Sequence, residues 1–167
     1  MKKLEKYIEI EKQNGYGVHI DFYAEEGPGC ADFEKEIIIL NSKFIWGLIN
    51  GFDENNMIDV LYHEIGHLEY FRNTPICRDK FDEKYKADSE YYAFSFSLKK
   101  LLNIAENGDI EPLKASIIKL NERIEKITNN CFEDDEPSHI LALDLISSSD
   151  IYKQCCDYVG HNNDLNY

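Results

Sequence analysis

Residues 63–67 read His-Glu-Ile-Gly-His. On an α-helix, side chains four apart project to nearly the same side, so His63 and His67 can aim two imidazoles at one ion. Glu64 lies about 100° round the helix from His63, poorly placed to ligate that ion but able to reach a water bound there, the geometry of a general base. Shuffling a chain of this composition yields His-Glu-x-x-His in roughly one chain per hundred, so the surroundings matter as well as the spacing. Val60, Leu61, Ile65 and Leu68 supply uncharged flanks that would let the helix lie inside the protein, whereas Glu69 departs from that pattern. Gly66 costs a helix interior about 1 kcal/mol relative to Ala, which points to another backbone or a ligand passing close to that turn.

A hydrolytic zinc site needs a third protein ligand and a position left open for water. The metzincin extension would place Gly at 70 and His at 73, but Tyr70 and Asn73 stand there. The third ligand is therefore expected further on, among Cys77, Glu83, Asp88, Glu90, His139 and His161. Counting about 100° per residue, Glu90 falls in the same stripe as Ala87, Ala93, Phe94, Ser97 and Leu101. A carboxylate facing the core needs a partner, because burying an unpaired charge costs several kcal/mol. Coordination of a divalent ion would supply it, and so would a buried salt bridge to Lys or Arg. Asp88 points to the opposite, solvent side of the same helix, and Glu83 is the next candidate after Glu90. For a donor to a developing oxyanion the available types are Tyr91, His139, Tyr158 and His161, and the sequence does not choose among them.

The elements that would hold these residues follow from periodicity. Tyr7–Glu11 and Val18–Tyr23 alternate apolar and polar residues around Asn14-Gly15, which predicts an N-terminal hairpin. Leu4, Tyr7, Ile8 and Glu11 also fit helical spacing, so the first arm has a helical alternative. After the break at Gly27-Pro28-Gly29, the run Lys35–Asn41 predicts a strand buried on both faces. A helix capped at Asp53 or Asn55 carries the histidines and ends at Thr74-Pro75. Beyond a charged stretch at 78–86, further helices are predicted over about 84–102, 111–127 and 138–158, with a frayed tail from Gly160. On the third of these helices from Asp53, Leu113, Ile117, Leu120, Ile124 and Ile127 form one apolar stripe, whose expected role is core.

The 167 residues suit one domain, and 43% hydrophobic content with 11 Tyr and 9 Phe suits a packed globular chain. The expected arrangement is a single α+β domain over 1–167, with 1–45 mostly β, site helices over 53–105 and C-terminal helices over 109–160. A net charge of −14 argues against direct nucleic-acid binding, which depends on Lys and Arg displacing counterions. No long apolar run or apolar leader is visible, so a cytoplasmic protein without a membrane segment is expected. Cys30, Cys77, Cys131, Cys155 and Cys156 are an odd, irregularly spaced set that fits neither a disulfide framework nor a zinc knuckle, and reads as mostly buried, reduced thiols.

Two His and a downstream Glu make the gluzincin arrangement, and within it the chain resembles the ImmA/IrrE metallopeptidases. The likeness rests on Ile37-Ile38-Ile39-Leu40-Asn41, His63-Glu64-Ile65-Gly66-His67 and Glu90-Tyr91-Tyr92-Ala93-Phe94-Ser95-Phe96, and spans about residues 18–102. The last stretch only echoes the family's usual Glu-Ala-Asn-x-Phe-Ala. The resemblance implies a minimal zincin-like fold, a small N-terminal sheet packed on the site helix with further helices after it. It implies Zn2+ held by His63, His67 and Glu90, with Glu64 as the base. It implies hydrolysis of a peptide bond in a protein partner, with a repressor-type regulator as the candidate. The rival expectation is a zincin-like regulatory or binding module of a phage or mobile element that cleaves nothing. Retention of Glu64 favours catalysis over that rival.

Overall fold

A computed structural model describes residues 2–22, 27–46, 53–74, 83–129 and 137–163. The described elements are α1 (Lys2–Gln13), β1 (Gly17–Asp21), β2 (Gly29–Asp32), β3 (Ile37–Asn41), α2 (Ser42–Ile45), α3 (Glu54–Asn73), α4 (Glu83–Glu106), α5 (Glu111–Thr128), α6 (Pro137–Ser148) and α7 (Asp150–Asn163). The architecture is α+β: a small mixed sheet lies near the N-terminus, and helices make up most of the rest.

The N-terminal hairpin does not form, and the first part of 1–45 is helical. As α1, this segment turns Leu4, Tyr7, Ile8 and Glu11 inward together; a strand would have split them between two faces. Glu54 Oε1 accepts from the Leu4 amide at 2.8 Å, and the Tyr7 hydroxyl donates to Asp109 Oδ2 at 2.9 Å. Asn14-Gly15 serves as a helix terminus rather than a hairpin turn. Gly15 has φ +95°, its amide donates to the Lys12 carbonyl, and the Tyr16 amide donates to the Glu11 carbonyl. This pair of bonds is the Schellman closure, which requires a left-handed residue at that place.

β3 is the central strand, parallel to β1 and antiparallel to β2 in the order β1-β3-β2. Its Ile38 and Leu40 are fully buried while Ile37 and Ile39 are half-buried, so one face is sealed and the other partly covered. Asn41, at its end, accepts from the Lys43 amide as the cap of α2 and donates through Nδ2 to the Gly27 carbonyl at 3.0 Å. This bond ties β3 to the segment entering β2, a strand that the sequence reading did not include.

α3 starts where capping chemistry predicts. Asp53 accepts from the Asn55 and Asn56 amides, and the Asn56 side chain returns a bond to the Asp53 amide. Met57, Ile58, Leu61, Ile65 and Leu68 are buried on it, against α4, α5, α1 and the sheet. At Gly66 the two long helices nearly touch. A Cβ there would stand 2.7 Å from the Cα of Ala93 on α4, so the glycine is the condition for this approach.

On α5, Leu113, Ile117 and Leu120 are buried, as expected of a core stripe. The single helix expected over 138–158 is two helices, α6 and α7, broken at Ser149. Ser147, Ser148 and Ser149 each turn a hydroxyl back onto a carbonyl of the preceding turn. Such bonds compete with the helical ladder, and Ser149 Oγ also accepts from the Tyr152 amide at the start of α7. The frayed tail is helical as far as Asn163, and 164–167 lie outside the described residues, as do residues 78–82 of the charged stretch at 78–86, whose remainder starts α4. Among the described residues no helix is long and apolar enough to cross a membrane.

Candidate metal centre

Three elements converge on the histidine motif. α3 presents His63 and His67 one turn apart, α4 brings Ser89 and Glu90 across from them, and α6 closes one side with His139. The Nε2 atoms of His63 and His67 lie 3.2 Å apart. Glu90 Oε2 stands 3.3 Å from His63 Nε2, and Oε1 stands 3.3 Å from His67 Nε2. These three residues form a group close enough to hold a metal ion.

The ring orientations are fixed from outside the group. His67 Nδ1 and Ser89 Oγ are 2.8 Å apart. With the Nδ1 proton donated to that hydroxyl, the Nε2 lone pair is turned toward His63 and Glu90, which is how a metal-binding imidazole is usually oriented. The His63 ring packs on Phe94 with centroids 4.6 Å apart and stands nearly perpendicular to the ring of His67.

Glu90 is held as an anion. Burial alone would raise its pKa, but the imidazoles of His139, His63 and His67 packed against it outweigh that and keep it well below the usual carboxylate range. His139 Nε2 lies 3.2 Å from Oε1. Oε2 is buried yet has no hydrogen-bond partner of acceptable geometry, despite His63 Nε2 nearby. A buried carboxylate oxygen left in that state is costly, and a cation among the three groups would satisfy it. His67 experiences the complementary effect. Burial disfavours its protonated form, but Glu90 and Glu64 prevail and raise its pKa.

Glu64 is buried, and its Cγ would come within 3.3 Å of a Cβ at position 29, so β2 lies directly over it. The structure therefore brings together His63, Glu64, His67 and Glu90, with Glu64 beside the group rather than in it. Two cavities, of about 340 and 520 Å³, open next to the centre and share Gly29, His63, Glu64 and His139.

The other candidates fall elsewhere. Asp88 is half-buried and outside the group, and His161 is exposed on α7. Cys77 lies outside the described residues, as does the side chain of Glu83. Of the potential oxyanion donors, His139 lines both cavities, Tyr158 gives its hydroxyl to the Ala105 carbonyl, and neither Tyr91 nor His161 lines either cavity. Cys30 is exposed on β2 rather than buried, Cys155 is buried, Cys156 is half-buried, and Cys131 lies outside the described residues. Glu69, the charged residue on an otherwise uncharged flank, is occupied by the Tyr16 hydroxyl at 2.9 Å and by Arg72 at 3.0 Å.

Ser89 and Gly29 were not legible as site residues. Ser89 resembles Ser95 and Ser97 in sequence, and only its position opposite His67 distinguishes it. Gly29 belongs to a strand that its short, mixed sequence does not announce. No protein-family model matches the chain, and comparison with curated proteins and with solved structures finds no match.

Proposed function

We propose that the chain is a zinc-dependent metallopeptidase of the gluzincin type, with a minimal zincin-like fold and a resemblance to the ImmA/IrrE peptidases. The observation that carries this reading is the spacing of the three groups. Ligands at about 2.0–2.2 Å from a tetrahedral zinc stand about 3.3–3.6 Å apart; the two imidazole Nε2 atoms here are 3.2 Å apart, the Glu90 carboxylate approaches each of them at 3.3 Å through a different oxygen, and one ligand atom from each residue lies within 4.8 Å of the others. Two imidazoles and one carboxylate are also a donor set that zinc accepts, and three protein ligands leave the fourth position free for chemistry.

Bound there, zinc would supply a water of lowered pKa and polarise a carbonyl oxygen. The chain's own groups do the rest. Glu64, next to the ligands but not one of them, takes a proton from the attacking water and returns it to the leaving amine. Ser89 keeps His67 in the required tautomer, and His139 steadies Glu90 while facing both cavities, where its ring can donate to a developing oxyanion. A protein substrate in the cytoplasm, of the repressor type, is the partner this reading takes from the resemblance. The net charge of −14 supports a protein substrate over a nucleic acid.

The test is metal content together with base removal. Protein purified without added metal is expected to carry about one zinc, as is Glu64→Gln, whereas Glu90→Ala loses it. Peptide cleavage is expected from wild type and not from Glu64→Gln. Zinc in both without cleavage by either would favour a non-catalytic binding module. Wild type that takes up no zinc even when it is added back would end the metallopeptidase reading.

A further inference from the structure

Two side-chain hydrogen bonds tie α4 to α3, one on each side of the contact between Gly66 and Ala93. Toward one end, Ser89 Oγ and His67 Nδ1 are 2.8 Å apart. Toward the other, the buried Ser97 hydroxyl donates to Asp59 Oδ1 at 2.6 Å and stands 3.3 Å from the Asp59 carbonyl oxygen. Asp59 comes eight residues before His67 and Ser97 eight after Ser89, so the two bonds span matching lengths of antiparallel helices. The ligands lie inside that span, His63 on α3 and Glu90 on α4, with Phe94 against the His63 ring.

The contact between Gly66 and Ala93 sets how near the helices come. Two such small residues have no side-chain ridges to interlock, so the contact does not stop one helix from rocking on the other. The Ser89 bond cannot prevent this alone, because its partner is the ring of a ligand and turns with it. Ser97 holds a residue outside the group, and the carbonyl it approaches is, in helical pairing, the acceptor of the His63 amide. We propose that Ser97, through Asp59, is a positioning residue of the metal centre, fixing the crossing of α4 on α3 so that Glu90 stays in range of His63 and His67. This rests on the reading that those three groups hold zinc. Along α4, Ser97 is about 6 Å from Ala93 and Glu90 about 4.5 Å from it on the other side. Rocking about Ala93 that lengthens the Ser97 bond by about 1 Å therefore shifts Glu90 by about 0.75 Å, more than the roughly 0.2 Å that metal–ligand distances tolerate.

The test uses the full chain. Zinc affinity is measured by competition against a chromophoric chelator, stability by melts in EDTA, and ligand geometry by the visible absorption of the cobalt(II)-substituted protein. Ser97→Ala is expected to bind zinc about tenfold more weakly, the lower end of what loss of an orienting partner costs, and to alter the cobalt spectrum. Asp59→Asn keeps an oxygen acceptor for the hydroxyl and should retain most of the affinity. Ser95→Ala is the control: its Oγ is buried on the same helix and makes no hydrogen bond among the described residues, so neither affinity nor spectrum should change.

Ser97→Ala/Asp59→Leu removes both polar partners and leaves no buried group unpaired, so it should fold even where Ser97→Ala alone does not. Its zinc affinity should fall as far as that of Ser97→Ala. Wild-type affinity with an unchanged cobalt spectrum in the double variant, whatever its melting temperature, would show that the bond serves folding alone and overturn the positioning role, leaving the zinc reading intact. A loss in Asp59→Asn as large as in Ser97→Ala would overturn it too, since the hydrogen bond survives that change. Wild type that takes up neither zinc nor cobalt overturns the premise and the inference together.

Discussion

Replacing Gly66 by Ala asks whether the close crossing of α3 and α4 sets the size of the metal site. The new Cβ would meet the Cα of Ala93 at 2.7 Å, its carbonyl oxygen at 3.1 Å and the Cβ of Phe96 at 3.2 Å. Ordinary contact begins at 3.4 Å, so α4 must retreat by roughly 0.7 Å, and no flexible side chain can absorb the shift. Glu90 sits one turn before Ala93 and moves with it, while His63 and His67 stay on α3. Metal–ligand distances tolerate about 0.2 Å, so zinc affinity should fall about 10- to 100-fold, as when an orienting partner is removed. For stability two effects compete. Overpacking costs about 1–3 kcal/mol, and the better helix propensity of Ala returns about 1 kcal/mol. The net loss of about 1 kcal/mol should lower Tm by about 2–4 °C for a chain of this length. Competition titration against a chromophoric chelator gives the affinity, and circular dichroism melts in EDTA give the stability. Adding Ala93→Gly should not rescue the variant, because the two closest atoms belong to the backbone. A Gly66→Ala protein that melts higher in EDTA and binds zinc as tightly as wild type would refute this account of the site.

Ser89→Ala should weaken zinc binding about tenfold or more, since His67 loses the acceptor that fixes its tautomer; an unchanged chelator titration would count against that role. Gly29→Ala places a Cβ 2.7 Å from Val60 Cγ1 and 3.3 Å from Glu64 Cγ, so kcat should fall while zinc stoichiometry holds, and undiminished kcat would mean that β2 does not position the base. Gly15→Ala meets no atom within 4 Å but must adopt φ +95°, and a loss of about 1 kcal/mol in urea unfolding is expected. The raised pKa of His67 makes zinc binding proton-linked. Calorimetry at pH 7 in buffers of different ionisation enthalpy should register proton release, fading as pH rises through that pKa, with affinity falling as pH drops; buffer-independent heats from pH 6 to 8 would contradict it. In the metal-free protein the same raised pKa works the other way. The stability His67 contributes is complete below its unfolded pKa and is lost as pH rises through the folded one.

The helical part of the fold was legible where one pattern dominated. Asp53 and Asn56 announced the start of α3, and its buried residues repeat at three- and four-residue intervals to Leu68, so packing and local propensity agree. At the N-terminus two periods competed. Tyr7 to Glu11 alternates as well as any strand, while the Lys, Glu, Leu and Gln of residues 2–13 and the spacing of Leu4, Tyr7, Ile8 and Glu11 favour a helix. What decides is tertiary: Glu54 and Asp109, distant along the chain, receive the Leu4 amide and the Tyr7 hydroxyl. Asn14-Gly15 was ambiguous for a related reason, because a left-handed glycine serves a hairpin and a Schellman closure alike. β2 has only the four residues Gly29–Asp32 and no apolar run, so its pairing with β3 supplies nearly all the evidence for it.

The candidate site divides along the same line. His63, Glu64 and His67 are adjacent on one helix, so helical geometry alone relates them. Glu90 was reached by a different route, as a charge in an apolar stripe, and that argument states a need for a partner without saying which. A buried Lys or Arg would have met it equally well. The structure surrounds Glu90 with three imidazoles, those of His63, His67 and His139. Imidazoles can be neutral, so they cannot be relied on to balance a buried carboxylate across the physiological range. Metal-free, the group must therefore hold a proton on a histidine or leave Glu90 poorly compensated, and its unsatisfied Oε2 records that shortfall. A divalent cation would replace the proton, balance the carboxylate at any pH where the histidines are neutral, and join α3 to α4 beside their close contact at Gly66. A single ion held there would thus meet two requirements, the close packing at Gly66 and the charge balance at Glu90, and a substitution at either position should be felt at the other.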